Sequence, residues 1–174
     1  MTFGRGLLVA VLLGTAVVLQ TVVLSPLRLP GATPDVVLLV VVALALVQGP
    51  TAGLIIGFAG GLLLDIVPPA SGALGRWALV LCLVGLVAGR LRDTAERSVF
   101  LPIVIVAGCS VLATVGYAAT GLLVGDPGVS GAGVLAAVPA ALLYDVLLSP
   151  FIVPGVMLLA RRFEVSTTYA RGRR

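Results

Sequence analysis

Two of the chain's seven acidic side chains, Asp65 and Asp145, interrupt otherwise apolar runs. A carboxylate at membrane depth is costly, faces protein or water rather than lipid, and can mark a substrate path or a proton relay. Asp65 ends a stripe: Gly53, Gly57, Gly61 and Asp65 recur at steps of four and share one helical face. Small residues at that spacing let a second helix backbone approach closely. The nearest opposite charge in sequence is Arg76, beyond the turn Pro68-Pro69-Ala70-Ser71-Gly72. The spacing predicts an ion pair that pins this turn and locks the flanking helices together. Contact with a partner's membrane helix, and a substrate or proton role, are the alternatives. For Asp145 the expectation is a hydrogen bond to a hydroxyl of the preceding helix, with Thr114 and Thr120 in reach.

Other chemistry is absent from the sequence. There is no His, so the usual neutral-pH base and commonest metal ligand are missing. Cys82 and Cys109 stand in apolar runs without CxxC spacing and read as small buried hydrophobes. The glycines around Phe58 lie within an apolar helix, with no lysine or strand context, so they form no phosphate-binding loop. No GxSxG elbow and no paired-carboxylate site occurs. The sequence therefore predicts neither an enzyme nor a cofactor site.

The elements that must hold these residues follow from composition. Hydrophobic residues make up 60% and charged residues 10% of the chain, with mean hydropathy +1.23. A soluble domain carries roughly 25% charged residues. Lipid is the expected solvent, and the expected fold is an all-α integral membrane bundle of about six transmembrane helices. The spans are read at about 7–24, 35–47, 51–67, 77–88, 99–124 and 134–159, forming one membrane domain over 1–160. A basic tail, 161–174, follows. The first apolar run lacks a small-x-small cleavage site and continues to Leu24, so it is read as an uncleaved helix. The carboxylate of Asp35, after Pro34, suits a helix N-terminus. Pro139, Pro150 and Pro154 fall in the last span, which is expected to kink or break near Pro150.

The arginines orient the bundle. With the N-terminus inside, nine lie on the inner side and only Arg28 and Arg76 on the outer. By the positive-inside rule both termini are then cytoplasmic. Spans two and three are short and joined only by Gln48-Gly49-Pro50, which suits either two thin crossings or a re-entrant hairpin. In the tail, Arg161, Arg162, Arg171, Arg173 and Arg174 can each gain about 1 kcal/mol from anionic lipid. The tail is too short and too poor in aromatics to bind nucleic acid.

Together these residues resemble the MreD family of rod shape-determining membrane proteins. The match begins at Pro34-Asp35 and continues through Gly57-Phe58-Ala59-Gly60-Gly61-Leu62-Leu63-Leu64-Asp65. It then takes in Leu74-Gly75-Arg76-Trp77-Ala78-Leu79 and Leu83-Val84-Gly85-Leu86-Val87-Ala88-Gly89-Arg90. Tyr144-Asp145 and Ser149-Pro150 look like the family's last helix. Leu86 departs from the pattern, standing where an aromatic residue is expected. The resemblance implies a non-enzymatic component of the cell-elongation machinery in the bacterial cell membrane. It implies pairing with MreC and, through it, support for the RodA polymerase, its class B transpeptidase and MreB filaments. Gly53, Gly57, Phe58, Gly61, Asp65, Arg76, Tyr144 and Asp145 become the helix-packing or partner-binding candidates.

The family's layout is also similar to the substrate-binding components of energy-coupling-factor vitamin transporters, which gives a rival reading. Such a component needs a polar pocket near the outer face, with aromatic residues for stacking. One Trp, three Tyr and few polar side chains argue against such a pocket here.

Overall fold

The computed structural model describes residues 3–27, 30–67, 74–98, 100–125 and 131–171; for residues 3, 131–132, 134–136 and 163–171 it describes the backbone alone. Arg28, the turn 68–72, Arg173, Arg174 and the side chain of Arg171 lie outside that description. Every element among the described residues is helical. Helix α1, Phe3–Val18, runs on through a π-helical stretch, Leu19–Leu24, and a short 3-10 turn, Ser25–Leu27. There follow α2 (Val36–Gln48), α3 (Pro50–Ile66), α4 (Arg76–Arg90), the single turn α5 (Arg92–Ala95), α6 (Leu101–Val124) and α7 (Gly131–Arg171).

Among the described residues, three segments are long and apolar enough to cross a membrane: Gly4–Leu27, Leu101–Val124 and Ala137–Arg162. By length and composition the chain has the character of an integral membrane protein. Helices α2 and α3 are apolar but shorter, at 13 and 17 residues. At 1.5 Å per residue α2 is about 20 Å long, against a hydrocarbon core of about 30 Å.

Helix α2 is the centre of the bundle. From Val36 to Val47 no residue exposes more than 4% of its surface. The sequence explains this position, because a helix that is apolar on every side can be buried on every side. Helices α1, α3, α4, α6 and α7 all pack on it, and they turn Leu7, Ile55, Leu79, Val104 and Leu147 outward.

The elbow between α2 and α3 depends on one residue. Gly49 sits at φ +86° and ψ −179°, a region of backbone space essentially restricted to glycine. Its N–H caps the Ala45 carbonyl at 2.8 Å, and its own carbonyl accepts from Gly53 at 2.9 Å. Pro50, whose missing N–H costs nothing at a helix start, opens α3.

The last helix does not break. Residues 131–171 form one helix through Pro139, Pro150 and Pro154. Pro150 cannot donate to the carbonyl of Val146, four residues back. The neighbouring Ser149 hydroxyl donates to that carbonyl instead, at 2.9 Å. A side chain thus replaces the missing backbone bond, as prolines within membrane helices require. Residues 161–171, read from sequence as a separate tail, continue the same helix.

Candidate functional site

The glycine stripe of α3 is filled from within the chain. Helices α3 and α4 run antiparallel and cross backbone on backbone. A Cβ on Gly57 would overlap the Leu81 carbonyl, and one on Gly61 would overlap the Trp77 carbonyl. A Cβ on Gly53 would overlap the Gly85 carbonyl, and one on Gly85 would overlap that of Gly53. At the far end, a Cβ on Gly89 would lie 2.5 Å from Cα of Pro50. The stripe therefore holds the bundle together and leaves no room for a partner's helix on that face. Gly85 and Gly89 are its complement. Their spacing is visible in the sequence, but recurs by chance in a chain with 22 glycines.

Asp65 has a role that charge pairing did not anticipate. Its carboxylate accepts backbone N–H bonds from Gly75 (3.0 Å), Trp77 (3.2 Å) and Ala78 (3.1 Å). These belong to the first turn of α4, where donors have no intrahelical partner. The side chain is thus an N-terminal cap supplied by a different helix, at the positive end of the helix dipole. Arg76 is turned toward α6. Its guanidinium donates to the Tyr117 carbonyl at 3.0 Å and lies 4.0 Å from the centre of the Tyr117 ring. Trp77 stacks on the same ring at 4.4 Å. The start of α4 is fastened to α3 by Asp65 and to α6 by Arg76 and Trp77.

Asp145 performs a similar task for α2. Its Oδ1 accepts the backbone N–H of Asp35 at 2.8 Å, and its Oδ2 accepts the Ser110 hydroxyl at 2.6 Å. The hydroxyl partner is therefore Ser110. Thr114 and Thr120 instead bond carbonyls of their own helix, at Ser110, Gly116 and Tyr117. The Asp35 side chain caps α2 through the Leu38 N–H at 2.9 Å. The Val37 N–H donates to the Gln20 side chain at 3.0 Å. Tyr144, next to Asp145, donates to the Pro30 carbonyl at 3.2 Å and holds the irregular approach to α2. A helix that starts inside an apolar bundle needs every such group satisfied. Here the π-helical stretch after α1 and helix α7, together with Asp35 itself, supply the partners.

These caps border a cavity of ≈ 270 Å³ whose walls include Gln20, Thr33, Asp35, Trp77, Thr114, Tyr117 and Asp145. The sequence was too sparse in polar groups to suggest it; the fold collects them from five separate segments onto one site. The signal was present in the few polar residues, Gln20, Ser110 and Thr114 among them, that punctuate long apolar runs.

Phe58 lies away from all of this, on the outward face of α3, 50% exposed. With Leu62, Leu79, Cys82 and Leu83 it lines an apolar groove of ≈ 450 Å³ along the α3–α4 pair. Compared with known protein families, curated proteins and solved structures, the chain matches none of them.

Proposed function

We propose that this chain is a non-enzymatic membrane scaffold of the MreD type, crossing the bacterial cell membrane six times with both termini cytoplasmic. In this reading it pairs with MreC and, through that pair, supports RodA, its class B transpeptidase and MreB. The sequence resemblance supplies the assignment. The observation that most favours a scaffold is how the segment 35–90 is used. Asp35, Gly49, the glycine stripe and Asp65 all serve to lock α2, α3 and α4 into one block. What that block presents outward is the Phe58 groove, apolar and open along a helix pair.

The MreC helix is therefore assigned to the Phe58 side of α3–α4, not to the glycine face. Co-purification in mild detergent tests it. Phe58→Ala combined with Leu62→Ala should lower MreC recovery while the protein still inserts and elutes as a single species. Unchanged recovery would remove the groove from the interface, and absence of MreC from the wild-type pull-down would remove the scaffold reading.

The cavity beside Asp35 favours a second reading, that of a substrate-binding component of a vitamin transporter. It joins a stacked Trp77–Tyr117 pair to amide, hydroxyl and carboxylate groups, the composition of a small-molecule site. Recovery of an ATPase pair and a coupling subunit in the same pull-down would support that reading over the scaffold.

A further inference from the structure

We infer that the arginine-rich end of the bundle holds one anionic phospholipid, its acyl chain in a groove between α6 and α7 and its phosphate at Arg161. The inference rests on membrane residence alone and stands whichever partner the bundle has. The groove measures ≈ 430 Å³. Its walls are apolar, with Pro102 and Ile103 from α6 facing Val153 and Met157 of α7. Pro150, Pro154 and Leu158 are exposed along its rim, so it opens to the outside of the bundle. Ser149 reaches the inner end of the groove, but its hydroxyl is committed to the Val146 carbonyl.

Dimensions select the occupant. Ser149 to Arg161 is about 18 Å along the helix, close to the roughly 15 Å depth of one leaflet's hydrocarbon. An extended acyl chain is hydrocarbon over that whole length, which matches walls that are mostly apolar.

Charge selects the headgroup. The mouth carries Arg161 and Glu96, 3.9 Å apart, with Arg92 4.0 Å from the same carboxylate. Both Arg161 and Glu96 have side chains more than half exposed. Asp93 and Glu164 are the other acids of this end, while Arg90, Arg97 and Arg162 add to the positive side. A guanidinium has five N–H donors, so one loose contact to Glu96 leaves Arg161 able to grip a phosphate in the forked geometry that arginine favours.

The test uses the full chain in mild detergent, with phosphatidylglycerol and phosphatidylcholine offered in equal amounts and bound lipid counted by native mass spectrometry. One phosphatidylglycerol per chain is expected. Arg161→Ala should cut the preference for phosphatidylglycerol about fivefold, the equivalent of about 1 kcal/mol for one arginine. Leu158→Trp, at an exposed rim position, should block retention of both lipids, and Ile103→Trp provides the same block from the α6 side. Glycerol 3-phosphate, which has the phosphate without the chain, should not displace the lipid. Equal retention of the two lipids by the wild type would overturn the proposal. So would full retention in both tryptophan variants, or displacement by glycerol 3-phosphate.

Discussion

The backbone N–H of Asp35 donates to the carboxylate of Asp145 at 2.8 Å, across 110 residues of sequence. The bond ties the buried start of α2 to the middle of the last helix, and Ser110 of α6 closes the arrangement from the other oxygen. Removing the carboxylate leaves two buried donors without an acceptor, each at a cost of about 1–3 kcal/mol. Asp145→Ala is therefore expected to lower stability by several kcal/mol, read as an earlier midpoint in an SDS-unfolding titration. Asp145→Asn keeps one acceptor oxygen and should fall between the two. A midpoint for Asp145→Ala equal to wild type would show that the cap is dispensable.

Asp65 gives a graded series of the same kind. It serves three N–H groups of α4. Asp65→Asn keeps one oxygen and loses the charge that favours a helix N-terminus, about 0.3–1 kcal/mol at an exposed site and up to about 2 when partly buried. Asp65→Ala removes the cap entirely and should be clearly worse. If the two variants unfold together, charge matters and the hydrogen bonds do not. Asp65→Asn with wild-type stability would show that the charge itself is dispensable.

The α3–α4 crossing separates folding from partner binding. Gly57→Leu or Gly61→Leu should drive α3 off α4 and deplete folded protein, seen as loss of the monodisperse peak in size-exclusion chromatography. Phe58→Ala, at an exposed position outside the backbone crossing, should leave that peak intact. A monodisperse Gly57→Leu protein would contradict the close backbone approach.

Gly49 is a backbone test with no side chain involved. Alanine at φ +86° and ψ −179° should cost about 1–3 kcal/mol, measured as a lower thermal midpoint in detergent. A neutral Gly49→Ala would mean that the elbow can adopt another conformation.

Periodicity and composition made much of this fold legible. The all-helical character, the long apolar helices, the Asp35 cap and the close-packing face of α3 follow from spacing that survives any tertiary arrangement. Asp65 was legible as a buried charge but not as a cap for another helix. Sequence displays charged partners such as Arg76, whereas the backbone donors of Gly75, Trp77 and Ala78 have no letter of their own. Ser110 was missed for a related reason: the hydroxyls of Thr114 and Thr120 lie on the same helix as Ser110, and the bonds they make to their own backbone carry no sequence signature. The unbroken course of α7 through Pro150 needed Ser149 to be recognised as the substitute donor. The cavity escaped because its walls come from five segments, each nearly featureless alone.

The enclosure of α2 also sets an order of events during synthesis. Its N-terminus is finished by a side chain made 110 residues later. At about 5–20 residues per second, that gap lasts roughly 6–22 seconds. Until Asp145 emerges, the second helix has no completed cap and no α7 wall against which to bury. The first half of the chain must therefore wait in the membrane in an unfinished form, and the final helix closes the molecule. Chains shortened just before Asp145 would be caught in that waiting state, a natural target for membrane proteases.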